Sequence, residues 1–347
     1  MSVIAAATSI LERLPVPDTL MRFGIEHLVG RTHRRMAGAS SDRDLAACDL
    51  AFAAGMSAWP IAEHTDLANA QHYELPAAFF GLVLGPHRKY SSCLFRSMPD
   101  TLEQAEANAL AETCMHADLR DGQDILELGC GWGSLSLWMA ARYPGARITA
   151  VSNSASQRGY ILTAARERGL SNLTVITADM NAFDTELRFD RVVSVEMFEH
   201  MANWELLLSR VRGWLRADGR LFLHVFSHAG APYRFDTADD ADWIARYFFT
   251  GGIMPSHGLV RRFPGLFSVE RDWRWDGRHY QRTSEAWLAN YDRHAAEIEV
   301  LLRDVYGDHA RLWRRRWRLF FLAVSGLFGH DAGNAWGVSH YRLVPVP

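Results

Sequence analysis

The chain is poor in the features that would mark it as secreted, redox-active, metal-binding or membrane-spanning. Its 347 residues include four cysteines, Cys48, Cys93, Cys114 and Cys130. They form no CxxC pair and take no ligand-like spacing with histidine, so no metal is expected and a reduced, cytoplasmic setting is the default. The opening MSVIAAATSILERLPVPDTL lacks the basic start of a signal peptide, and Glu12 and Arg13 interrupt any apolar core there. The longest apolar tract, residues 319–328, falls well short of the roughly 20 residues that cross a bilayer. Charge of one sign is lacking too: 37 Lys and Arg against 40 Asp and Glu leave a formal net charge of −3. No broad field draws the chain to nucleic acid or anionic lipid, so neither a nucleic-acid partner nor stable membrane insertion is expected.

What is present is a globular composition with a clear change of pattern along the chain. Residues 1–86 read as a helical region, with Leu11, Leu14, Leu20, Phe23, Ile25 and Leu28 near helical spacing and Pro60 and Pro76 as punctuation. Residues 105–118 are rich in strong helix formers. After Asp121-Gly122, short apolar strands at 125–128, 147–151, 173–177, 190–195 and 220–226 alternate with helices, the clearest at 154–167 and 204–215. Asp218-Gly219 is expected to close the last of these helices. Such alternation specifies an α/β, Rossmann-like fold with a mostly parallel sheet. From 228 to about 335 it gives way to mostly helical, aromatic-rich sequence, an insertion placed where a substrate-covering lid would sit, before WGVSHYRLV returns to a strand pattern. The expected division is a helical region at 1–86 and a main domain at 87–347.

The most informative stretch is ILELGCGWGSLSLWMA, a strand, an acidic residue, the alternating glycines Gly129, Gly131 and Gly133, then a helix. Glycines here let backbone turn sharply and approach a ligand closely. The spacing is GxGxG rather than GxGxxG, which suits an adenosyl ligand better than a pyrophosphate. Asp179 and Met180, after the third strand, offer a carboxylate for the adenine amine and an apolar surface for its ring, with Asp184 as an alternative contact. The second strand is followed by VSNSASQ, in which Asn153 and Gln157 can hold a ribose through amides, while Ser152 to Ser154 can equally cap the next helix.

At the end of the fourth strand stands SVEMFEHM. If a helix begins there, Glu196, Glu199 and His200 share one face at the carboxyl end of the sheet, where open α/β sheets bind ligands. Such a group can take up the proton of an ammonium and stabilise its charge. The bland alternative is that the acids complement a helix dipole and His200 packs in the turn.

These segments, with YSSCLF (90–95), RYFFTGGIMPS (246–256) and HYQRTSEAW (279–287), resemble the cyclopropane-fatty-acid synthase superfamily of S-adenosylmethionine-dependent methyltransferases. Within it they are most similar to coclaurine N-methyltransferase-like enzymes, from roughly Tyr90 onward. The resemblance implies a class I methyltransferase fold and an S-adenosyl-L-methionine cofactor. Tyr90 and Ser91 would approach its methionine end, Gly129, Gly131 and Gly133 would line it, Asn153 and Gln157 would hold the ribose, and Asp179 and Met180 the adenine. Glu196, Glu199 and His200 would be catalytic, in methyl transfer to a small amine, with a homodimer left open. The synthase branch instead holds a bicarbonate base. Glu199, His224 and Tyr280 match three of its positions, whereas Ser92 stands in the cysteine position, Phe226 in the aliphatic one, and Glu196 where glycine is typical. The alternative is therefore modification of an unsaturated acyl chain.

Of the insertion's aromatics, Tyr233, Trp243, Tyr247, Phe248, Phe249, Trp273 and Trp275, two or three are expected to touch substrate and the rest to pack. The run WRRRWR (313–318) reads as a solvated helix face or a membrane-surface patch.

Overall fold

The computed structural model describes residue 12 and residues 16–36, 41–63, 75–238 and 242–346. Helices α1 (Asp18–Met36), α2 (Asp42–Met56) and α3 (Ala77–Val83) come first, then α4 (Leu102–His116). A reciprocal capping box between Thr101 and Gln104 starts α4. Strands β1 (Asp124–Leu128), β2 (Arg147–Ser152), β3 (Leu173–Thr177), β4 (Phe189–Val195) and β5 (Leu215–His228) pair in parallel. Between them run α5 (Ser134–Arg142), α6 (Ala155–Glu167) and α7 (Trp204–Trp214). The later chain supplies a small ribbon, β6 (Tyr233–Arg234) with β7 (Ile253–Met254), the short α8 (Trp243–Tyr247), and β8 (Phe267–Asp276). Helices α9 (Arg278–Arg293), α10 (Ala295–Tyr306) and α11 (Ala310–Gly329) follow, and β9 (Trp336–Pro345) closes the fold.

The strand order is β3-β2-β1-β4-β5-β9-β8, with β9 and β8 antiparallel. Chain order reverses between β1 and β4, so their carboxyl ends open the crevice in which such sheets bind ligands. The glycine turn follows β1 and the acidic cluster follows β4, which brings both to that crevice. Gly133, at φ 76°, leads into α5; a Cβ there would lie 2.5 Å from Ile161, so glycine is what lets the turn pack on α6.

Three local expectations are corrected. Asp218-Gly219 do not close a helix: they lie in the irregular start of β5, where pairing with β4 jumps from Leu215 to Arg220. The insertion is not wholly helical, because FSVERDWRWD forms β8 on the edge of the sheet, with charged side chains turned to solvent. On α1, Leu20 and Phe23 are exposed, and the core is met by Met21 and Ile25. Leu11 and Leu14 lie outside the described residues.

The largest apolar cluster ties the chain before the sheet to the insertion. Phe79 and Phe80 of α3 pack on Trp317 of α11, and Phe80 also meets Trp132 in the glycine turn, with ring centroids 4.9 Å apart. Three of the run's four arginines pair with carboxylates of the fold: Arg314 with Glu299 and Arg318 with Asp18 and Asp292 at the half-exposed face, and Arg316 with the buried Glu12. Most of the insertion's aromatics pack as well. Trp243 donates to Glu12, Phe248 stacks on Phe320, and Trp273 stacks on His116. Among the described residues no helix is long and apolar enough to cross a membrane.

Candidate active site

Two adjoining cavities meet at the glycine turn. The larger, about 750 Å³ with its open mouth included, is lined by Asn153, Gln157, Asp179, Met180 and His200 among others; the smaller, about 590 Å³, by Lys89, Tyr90, Ser91, Trp132 and Ser134. Gly129, Gly131, Gln157 and Glu196 line both. Gly131 has φ 50° and nothing within 4 Å of where a Cβ would stand, so its missing side chain is cavity. Gly133 lines neither cavity and serves the turn.

An adenosyl ligand fits these residues. Gln157 is 1 % exposed; its Oε1 accepts from the Ser152 hydroxyl at 2.6 Å, which leaves Nε2 with no partner among the described residues. A buried amide donor without an acceptor is costly, and a ribose hydroxyl would satisfy it. Trp132 Nε1 and Ser134 Oγ are likewise buried donors without described partners. Ser154 does cap α6, accepting from the Gln157 N–H at 3.3 Å, so cap and ligand positions share one loop. Asp179 takes the Asn181 N–H on one oxygen, while Asp184 turns away to accept from the Trp214 indole.

The acidic cluster is built differently from the helical face expected. A single 3-10 turn covers Phe198–His200, and Glu196 precedes it in the left-handed region at φ 49°. That strained backbone turns Glu196 toward Ser92, His224 and Tyr280 rather than along a shared helical face. Its Oε1 accepts from the Ser92 N–H at 2.9 Å and faces His224 Nε2 at 3.1 Å; its Oε2 accepts from the Tyr280 hydroxyl at 2.7 Å. Glu199, fully buried, accepts from the Phe226 N–H at 2.6 Å through Oε1, and its Oε2 has no described partner. His200 stacks on Phe249 with centroids 4.5 Å apart.

Burial pushes the Glu196 carboxyl up, against the pull of the Lys89 charge and its hydrogen bonds. Glu199 is raised much further, first by burial and then by the Glu196 charge. Two neighbouring carboxyls thus have unequal proton affinities, the usual way a site divides holding a proton from holding a charge. His224 is driven well below its ordinary value by burial and stays neutral.

Lys89 was not singled out by the sequence reading. It is the one lysine in the chain, 2 % exposed, with Nζ donating to Ser91 Oγ at 2.5 Å and to the Ser92 carbonyl at 2.6 Å. Burial lowers its pKa, against the raising charges of Cys93, Glu196 and Glu106. A solitary lysine among many arginines is the compositional signal that would have found it.

The chain is 36% identical over 285 residues to (S)-coclaurine N-methyltransferase of Thalictrum flavum subsp. glaucum, covering 81% of this chain and 79% of that one. It is 29% identical over 280 residues to the cyclopropane-fatty-acyl-phospholipid synthase of Escherichia coli (strain K12), covering 80% and 68%. The crystal structure of coclaurine N-methyltransferase bound to N-methylheliamine and SAH superposes with a TM-score of 0.94 at 32% identity, over 99% of this chain and 100% of that one. The cyclopropane synthase MmaA2 of Mycobacterium tuberculosis, at 23% identity and a TM-score of 0.69, shares the fold over 81% of this chain and 98% of its own. Residues 62–332 match the family described as mycolic acid cyclopropane synthetase, and with most of its length accounted for in this way the chain belongs to that family.

Proposed function

We propose that this chain is an S-adenosylmethionine-dependent methyltransferase that methylates the nitrogen of a small aromatic or alicyclic amine. The observation that carries the choice of acceptor is the seat of the Glu196 carboxylate. Ser92 N–H, His224 and Tyr280, three groups that would hold a bicarbonate on the synthase reading, all bond Glu196 instead. An internal carboxylate occupies the donors that an external base would need.

When bound, S-adenosylmethionine supplies a methyl group on a sulfonium, electrophilic toward an unprotonated nitrogen. The chain's own residues align the acceptor and remove its proton. Glu196 lines both cavities and is the carboxylate that an acceptor ammonium meets. It attracts the cation and can take its proton, while Glu199, raised higher and with one oxygen unengaged, is the second proton holder of the pair. His200, fixed against Phe249, borders the same cavity.

Incubation with a cyclic secondary amine, and separately with phospholipid vesicles of cis-unsaturated chains, followed by mass spectrometry, tests the reading. The expected result is a methylated amine, insensitive to removal of bicarbonate, and unchanged lipid. A bicarbonate-dependent gain of one methylene on the lipid, lost in Tyr280→Phe, would overturn it.

A further inference from the structure

A line of histidines leaves the active site through the centre of the protein. His224 on β5 stands directly opposite His340 on β9 in the antiparallel register, and His340 is paired in turn with Trp273 on β8. The register therefore places the imidazoles side by side. His224 Nε2 faces Glu196 Oε1 at 3.1 Å, and its Nδ1 lies 2.8 Å from His340 Nε2. His340 Nδ1 lies 2.8 Å from His116 Nδ1, supplied by the last turn of α4. His116 Nε2 reaches Glu112 Oε1 at 3.3 Å, and Glu112, with its side chain 19% exposed, pairs with the exposed Arg96. His224 and His340 have no exposure and His116 has 4 %. Trp273 stacks on His116 at 3.8 Å, while Trp275 packs against His224 and His340.

Three imidazoles in a core strand pair and helix end are costly to bury unless each nitrogen is bonded. Here five of the six ring nitrogens have hydrogen-bond partners and the sixth, His116 Nε2, stands 3.3 Å from Glu112 Oε1 as an ion-pair contact, so the line leads from the active-site carboxylate to a surface carboxylate. We infer that His224, His340 and His116 form a proton relay that carries the acceptor's proton from Glu196 to Glu112 while the acceptor fills the cavity; this rests on the amine reading above.

The proton count balances. A protonated amine gives its proton to Glu196. The Glu196 O–H then passes its proton to His224 Nε2, His224 Nδ1–H to His340 Nε2, His340 Nδ1–H to His116 Nδ1, and His116 Nε2–H to the Glu112 carboxylate. Each ring receives one proton and gives one, so none carries charge before or after, in keeping with burial holding all three below their ordinary values. Lys89, acting on His224 and His340, and Arg342 and Arg271, acting on His116, disfavour an imidazolium in the line as well, opposed at His116 by the Glu112 charge. Glu112 releases the proton to solvent. After product leaves, the reverse shift resets the line: a solvent proton enters through Glu112, and Glu196 discharges to water in the emptied cavity. One proton is released per methyl transferred.

The test compares two acceptors in the full-length protein, a basic cyclic secondary amine that arrives protonated and N-methylaniline, which arrives uncharged. His340→Phe breaks the line at its middle; Glu112→Gln breaks it at the surface end while sparing the core, and keeps the result readable if the first variant folds poorly. Each is expected to lower kcat on the basic amine by roughly tenfold more than on N-methylaniline, with KM little changed, because only the basic amine must shed a proton. Equal losses on both acceptors would reduce the histidines to packing and overturn the relay. Failure of the wild-type chain to methylate either amine would instead overturn the reading beneath it. A readout independent of turnover is the tautomer of each ring, from nitrogen NMR of histidine-labelled protein. The relay allows Nδ1–H on His224 and His340 with Nε2–H on His116, or the complementary set; any other combination, or a charged ring, would overturn it.

Discussion

The two cavities recognise by different means. Around the larger, most contacts come from segments between Gly129 and Met180, with backbone at the glycine turn, one amide at Gln157 and side chains just past β2 and β3, joined by Ala62, Glu63, Thr250 and four residues between Glu196 and Met201. On the Glu196 side they come from side chains far apart in sequence. Ser92 and Glu196 are 104 residues apart, Glu196 and His224 28, and Glu196 and Tyr280 84. One half is a local motif suited to an adenosyl ligand; the other is an assembled cluster which, on the proposed function, meets the acceptor. Changes in the first should act on affinity, and changes in the second on turnover.

The largest expected effect is on the first half. Gly131→Asp would push an unpaired charge into space that a bound cofactor must share, so binding should weaken by roughly a thousandfold, several kcal/mol. Calorimetry on the folded variant checks it, and undiminished affinity would make the turn purely structural. Next comes Glu196→Gln, which keeps size while removing charge and basicity. A fall in kcat of roughly a hundredfold is expected, with cofactor affinity held. If affinity falls along with kcat, the division between the halves does not hold. A smaller effect, about tenfold in cofactor affinity with kcat retained, is expected for Gln157→Leu, which deletes one buried donor. Equilibrium binding and saturated turnover separate these outcomes.

The smallest effect sharpens the comparison through stability. Burial lowers His228, beside His33, to about 4. A histidine depressed in the folded state binds its proton more readily when unfolded, so stability is intact above the unfolded value, near 6.5, and is lost as pH falls toward about 4. His228→Gln should flatten part of that decline between those limits, read as melting temperature against pH. An unchanged slope would assign the decline to other groups, His116 first, which is lowered to about 4 in the same way.

What the sequence reveals follows the same division. Parallel strands buried on both faces read as short apolar runs, and all five central strands fall where that pattern puts them. The glycine turn and VSNSASQ are legible because their chemistry is local. Strand β8 escapes because an edge strand carries Glu270, Arg271 and Arg274 on a pattern that does not alternate cleanly. The EMFEH residues announce acid–base chemistry, but not the left-handed Glu196 that turns one acid toward Ser92, since no spacing rule encodes a strained φ at a non-glycine residue. Trp132 gives no signal at all; its role in joining α3 to the glycine turn exists only once the fold has formed.

Lys89 has a consequence for how the protein meets amine chemistry in general. With its one lysine sealed beside Ser91 and Ser92, the described surface carries guanidinium groups and no lysine ammonium. On the proposed function, the catalyst thus presents no surface lysine of its own as a rival acceptor, and neighbouring copies offer none to one another. The same arrangement leaves acylating or cross-linking reagents no exposed lysine on the folded chain. Their reaction with Lys89 would report on opening of the core rather than on the surface.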